Sequence, residues 1–200
     1  MIYNTSFLRK EFRSAYMQQQ FSRNRQLSLG IFLGILTFAI YFSLQTLKQS
    51  VLSDAAPHLL MQSYFSTLYI YLFVALVFNV VFYLTNYEYM TFIEIIRNKW
   101  YALVQLGYNP LRLIAQKILV RFLFQAAIFT VGYIVTIFLS SFLKFSLVPG
   151  YIVSLYLMGL IDIEILAAIS LTVSLFLKDI TNARYITGLL AAGIMVFKAV

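Results

Sequence analysis

Asp162 and Glu164 lie inside a run that is otherwise apolar from Val148 to Leu177. An ionised carboxylate surrounded by hydrocarbon is costly unless water or a cation meets it, so such a residue marks either a transport pathway or a buried ion pair. Two positions apart on a helix, the two side chains point about 200° away from each other, and they cannot form one paired-carboxylate site. Lys198 reaches a similar depth if the last apolar helix starts near Ile186, so an ion pair from Lys198 to Asp162 or Glu164 stands as an equal alternative to a pathway.

Other chemistry is excluded by what the chain lacks. It has a single histidine, His58, and no cysteine, which rules out an HExxH site, thiolate metal ligation, disulfides and a cysteine nucleophile. No GxSxG elbow and no GxxxxGK[ST] phosphate loop occurs. We therefore expect no enzyme, no metal and no cofactor in this chain. Any ATP and magnesium would be bound by another polypeptide.

The elements that must position the carboxylates follow from composition. Of the 200 residues 62% are apolar or aromatic and 11% are charged, whereas a water-soluble surface needs roughly a quarter charged. Apolar runs near Leu27–Leu47, Tyr64–Leu84, Ile118–Leu143 and Val148–Leu177 are long enough to cross a hydrocarbon core of about 30 Å as helices. A fifth, partial run covers Ile186–Val200. Transmembrane strands would alternate apolar and polar residues, which these runs do not. The expected fold is an all-α, polytopic transmembrane helix bundle forming one domain over residues 1–200.

The formal charge of +8 does not point to nucleic acid, because the basic residues sort by membrane side. With the N-terminus in the cytoplasm, only Lys48, Lys144 and Lys198 of the fifteen basic residues fall elsewhere, as the positive-inside rule requires. The expected location is a cell membrane, bacterial and multi-pass, and membrane lipid is a partner by necessity.

Two segments outside the spans are amphipathic. Residues 1–26 are expected to hold a cytoplasmic interfacial helix, in which Leu8, Phe12, Ala15 and Tyr16 follow helical spacing toward the acyl chains and the Arg and Lys residues meet headgroups. A plain positive anchor explains it equally well. Between the second and third spans, Phe92, Ile93, Ile96, Trp100, Leu103 and Val104 recur at helical spacing, with Glu94, Arg97 and Lys99 between them. Gly107 offers a stop, and Asn109-Pro110 a start with Asn as cap and Pro at the first helical position. The result is a helix, a tight turn and a second helix running into the third span, a stiff cytoplasmic elbow; a membrane-surface hairpin is the alternative.

Gly30 and Gly34 form a GxxxG, which lets another helix approach closely, within this chain or at a subunit interface. Tyr64, Tyr83, Tyr87, Tyr151 and Tyr185 are expected to belong mostly to the aromatic belts at the membrane surfaces.

This order of parts resembles an ABC-2-type exporter permease. The resemblance is carried by Glu94-Ile95-Ile96 followed by Gly107-Tyr108-Asn109-Pro110-Leu111-Arg112-Leu113-Ile114-Ala115-Gln116-Lys117, and by Ser174 to Ala183 after the fourth span. It implies that Phe7–Tyr16 is a connecting elbow helix and that Glu94, Ile96, Arg97, Trp100 and Leu103 form a coupling surface for a separate ATP-binding cassette subunit. It further implies a second permease copy or paralogue in a dimer, and a hydrophobic or amphipathic cargo such as a peptide, lipid or drug-like molecule. Family members usually have six spans. An ion-coupled or substrate-capture transporter using Asp162 or Glu164 is the alternative, as is a membrane immunity or assembly factor that does not transport.

Overall fold

In a computed structural model, residue 9 and residues 23–51, 59–87, 105, 107, 109–143, 149–177 and 179–199 are described. They are all-helical, without strands. The helices are α1 (Arg23–Val51), α2 (Leu59–Thr85), α3 (Pro110–Phe142), α4 (Pro149–Phe176) and α5 (Ile180–Ala199). All five are long and apolar enough to cross a membrane, and the chain is a membrane protein.

Side-chain exposure has the pattern that lipid selects. Phe138, Phe142, Leu189 and Phe197 are among the large apolar residues left open on the helix surfaces, while Thr37, Thr67, Thr136 and Ser140 are buried. With no hydrophobic force between helices in lipid, close packing of small and polar residues takes over. Thr37 and Thr136 each return their hydroxyl to the carbonyl four residues back, Leu33 and Gly132, at 2.9 and 2.8 Å, so these buried groups carry no unpaired donor.

Helix starts follow capping chemistry. Gly107 holds φ at +82°, a left-handed conformation that side chains with a Cβ resist. Two residues on, Asn109 Oδ1 accepts the N–H of Leu111 at 3.0 Å, with Pro110 at the first helical position. This is the start that the sequence indicates. Asn109→Ala should release about 1 kcal/mol of helix stability at this end. Hydrogen exchange at Leu111 to Ile114 should then rise about fivefold, with exchange beyond Gln125 unchanged.

The start of α5 differs from the expectation. The helix begins at Ile180, six residues before the apolar run at Ile186, because Asp179 Oδ1 caps the N–H of Thr181 at 3.0 Å. Polar Thr181, Asn182 and Arg184 are thereby helical, and the partial fifth run becomes a helix of 20 residues.

The described residues pack as two compact units. One comprises Arg23–Leu76 and Ala126–Ile161, the other Val77–Gln125 and Asp162–Val200. In the first, α1 and α3 cross at glycines: a Cβ on Gly30 would lie 2.6 Å from Val131 Cβ and 2.9 Å from the Ile128 carbonyl, and one on Gly34 2.6 Å from Val135 Cγ1. Gly132 completes the crossing, with the Gly30 carbonyl 2.9 Å from where its Cβ would be. Beside it, the rings of Tyr71, Phe129, Tyr133 and Tyr156 pack at centroid distances of 5.4 to 5.8 Å, stacked between Phe129 and Tyr133 and tilted in the other pairs. Their hydroxyls are all satisfied: Tyr71 donates to the Phe129 carbonyl, Tyr133 to the Ile152 carbonyl at 2.7 Å, and Tyr156 pairs with Thr130 at 2.9 Å.

In the second unit, Val80, Phe82 and Tyr83 of α2 share a core with Val120 and Phe124 of α3, Leu166 of α4 and Ala191 of α5. These contacts fix the heights of the helices. α2 ends two residues past Tyr83, whereas α3 extends from Val120 back to Pro110, α4 from Leu166 on to Phe176, and α5 from Ala191 back to Ile180. At 1.5 Å per residue, all three continue about 15 Å past that level.

Candidate functional site

The second unit contains a cavity of about 120 Å³ lined by Tyr83, Ile118, Arg121, Phe122, Glu164, Ala167, Ala168 and Leu171. Three elements bring its polar groups together: α2 supplies the Tyr83 phenol, α3 the Arg121 guanidinium and α4 the Glu164 carboxylate. The remaining lining residues are apolar.

The two sides of the cavity differ in burial. Arg121 is 6% exposed and has interactions of its own within the protein. Glu164 is exposed, and among the described residues it makes no hydrogen bond or ion pair. Asp162, half-buried on another face of α4, is engaged in an interaction. The two carboxylates thus have separate surroundings, as their spacing requires.

Asp162 and Glu164 are central in α4, whose apolar stretch runs from Gly150 to Ser174.

Lys117, Arg121 and Gln125 were not singled out by sequence reasoning, which assigned the two basic residues to the positive-inside flank. All three are buried, at 5%, 6% and 2% exposure, at positions i, i+4 and i+8 on one face of α3. That spacing was the available signal: a basic flank in solvent does not need to keep one helical face. Gln125 has neither amide atom hydrogen-bonded among the described residues, an unusual cost for a buried amide.

Tyr83 and Tyr87 also depart from the belt expectation. Both are buried, and the Tyr87 hydroxyl lies 3.2 Å from Thr187 Oγ1 of α5. Burial holds the Tyr87 phenol above its ordinary pKa. Tyr151 and Tyr185 are exposed, as belt residues are.

The remaining candidates are placed as follows. Gly30 and Gly34 face Val131 and Val135 of this same chain. Lys198 belongs to α5, but its side chain lies outside the described residues, so the proposed pair with Asp162 or Glu164 does too. Phe7, Leu8, Phe12 and Tyr16 of the N-terminal segment, and Glu94, Ile96, Arg97, Trp100 and Leu103 of the amphipathic segment, also lie outside the described residues. No cluster of three or more His, Cys, Asp or Glu side chains that could hold a metal occurs among the described residues.

In comparisons with known proteins, no protein-family model, no curated protein and no solved structure matches this chain.

Proposed function

We propose that the chain is the permease subunit of an ATP-driven exporter of a hydrophobic or amphipathic substrate, working as a dimer with separate ATP-binding cassette subunits. The observation that carries this reading is the continuity of α3. It starts at a capped turn, extends about 15 Å beyond the core level that Val120 shares with Tyr83, and continues without a break to Phe142. A rod of that kind delivers a push made outside the membrane to the helices within it. The positive-inside distribution supports a cytoplasmic position for that end, where the amphipathic segment with Glu94, Arg97 and Trp100 would meet the ATPase.

The test is purification of the chain from its native membrane together with any bound ATPase. An ATPase bearing a phosphate loop is expected. Substitution of Glu94, Arg97 or Trp100 by alanine should reduce the permease-dependent part of its hydrolysis about tenfold, within the usual range of coupling between sites. If no such subunit binds, or if hydrolysis ignores all three substitutions, the exporter reading fails.

A second reading is favoured by Glu164, which makes no hydrogen bond or ion pair among the described residues. An ion-coupled transporter would take up a proton or cation there, and transport would be driven by an ion gradient without ATP. Loss of that transport in Glu164→Gln or Asp162→Asn, with no ATPase present, distinguishes it.

A further inference from the structure

We infer that the cavity at Glu164 binds an amphipathic organic cation whose charge is a quaternary ammonium and whose tail is aryl or alkyl. That such a cation is cargo rests on the exporter reading; its binding to the chain does not.

The lining of the cavity leads to it. Glu164 and Ala168, one turn apart on α4, are its exposed members, and Glu164 makes no hydrogen bond or ion pair among the described residues. A carboxylate within the apolar stretch Gly150–Ser174 needs a cation that apolar surroundings accept. Arg121 is a cation already in the lining, but it is 6% exposed and engaged within the protein. Of the two charged groups, the carboxylate is therefore the one open to a ligand. Around it, Ile118, Ala167 and Leu171 supply aliphatic surface, and Tyr83 and Phe122 aromatic surface. The space of about 120 Å³ has room for one compact head, so the tail leaves through the mouth beside Ala168.

The same lining disfavours the other cations. A primary ammonium brings three N–H donors that point apart, and one carboxylate cannot meet them all. Besides Glu164, the lining side chains offer only the Tyr83 hydroxyl as an acceptor, because a guanidinium only donates. A donor that gives up its water without replacement carries the full cost of desolvation. Calcium or magnesium needs about six oxygen ligands or more, which this lining does not hold. A quaternary ammonium has no N–H to satisfy. Its methyl groups pack on the aliphatic and aromatic walls, its charge is attracted by aromatic rings, and Glu164 neutralises it.

The full chain is purified in maltoside micelles without any ATPase, and binding of benzyltrimethylammonium is measured by equilibrium dialysis against protein-free micelles. Neopentylbenzene, its uncharged carbon isostere, has the same shape. The cation should bind about tenfold more tightly than the isostere, the low end for a close charge pair. Glu164→Gln should weaken the cation about tenfold and leave the isostere unchanged, with thermal unfolding unaltered because the side chain is exposed. Ala168→Phe, which fills the mouth without altering charge, should weaken both ligands.

Equal affinity for the cation and its isostere overturns the inference, because the cavity is then merely apolar. Cation binding that survives Glu164→Gln overturns it too, as does displacement by methylammonium at equal concentration, which would mark a site for a hydrogen-bonding cation. No ATPase is present in these measurements, so their failure removes the cargo class without touching the exporter reading. That reading fails separately, when no phosphate-loop subunit binds or when hydrolysis ignores Glu94, Arg97 and Trp100.

Discussion

Gly30→Leu is expected to prevent assembly of the unit formed by α1, α3 and the aromatic cluster. The new side chain would meet Val131 Cβ within 2.6 Å of its own Cβ and the Ile128 carbonyl within 2.9 Å. The first neighbour is the stiff base of a β-branched side chain and the second is backbone, so neither can rotate away. Overpacking of this kind costs about 3 kcal/mol or more, a large share of what holds a small domain together. Unfolding in mixed micelles by increasing SDS should show the midpoint lowered or the transition lost. Gly193→Ala is the internal control. Nothing lies within 4 Å of a Cβ there, so the change should be neutral or stabilising by up to about 1 kcal/mol. If Gly193→Ala and Gly30→Leu behave alike, the close crossing of α1 and α3 does not support the fold.

Arg121→Ala is expected to destabilise the chain far more than Glu164→Gln, although both residues line one cavity. Arg121 is 6% exposed, and its neighbours Val120 and Phe124 belong to a shared apolar core. Truncating it deprives its partners of a cation and leaves empty space, a loss of about 3 to 5 kcal/mol for a buried charge. Glu164 is exposed and makes no bond within the described residues, so its neutral isostere should change stability by less than about 1 kcal/mol. Thermal unfolding followed by size-exclusion chromatography in detergent compares the two. Equal losses would mean that Glu164 is held within the protein after all.

Much of the fold is legible in the sequence because lipid imposes a simple rule. Uninterrupted apolar runs must be helices, and Asn109-Pro110 after Gly107 states the start of α3 in local chemistry that tertiary packing does not alter. The beginning of α5 was harder to see. Hydropathy responds to Ile186 onward, whereas the helix is set by a single aspartate cap at Asp179 and by polar residues that hydropathy reads as a loop. The site was half legible. Asp162 and Glu164 stand out because carboxylates are rare in such runs. Arg121 does not, because a basic residue near a span end satisfies the positive-inside rule without any further role. Only its burial, at 6% exposure, shows that Arg121 is packed between helices. Sequence carries no ruler between separate helices, and so could not bring Arg121 and Glu164 to one cavity.

The crossing of α1 and α3 joins positions about 100 residues apart, Gly30 with Val131, and Tyr87 meets Thr187 at the same separation. A ribosome adding about 5 to 20 residues per second needs roughly 5 to 20 seconds to supply the second member of either pair. For that interval the glycine face of α1 waits in the bilayer with its docking partner still untranslated, and the nascent chain depends on lipid or on the insertion machinery to keep it from pairing with a stranger.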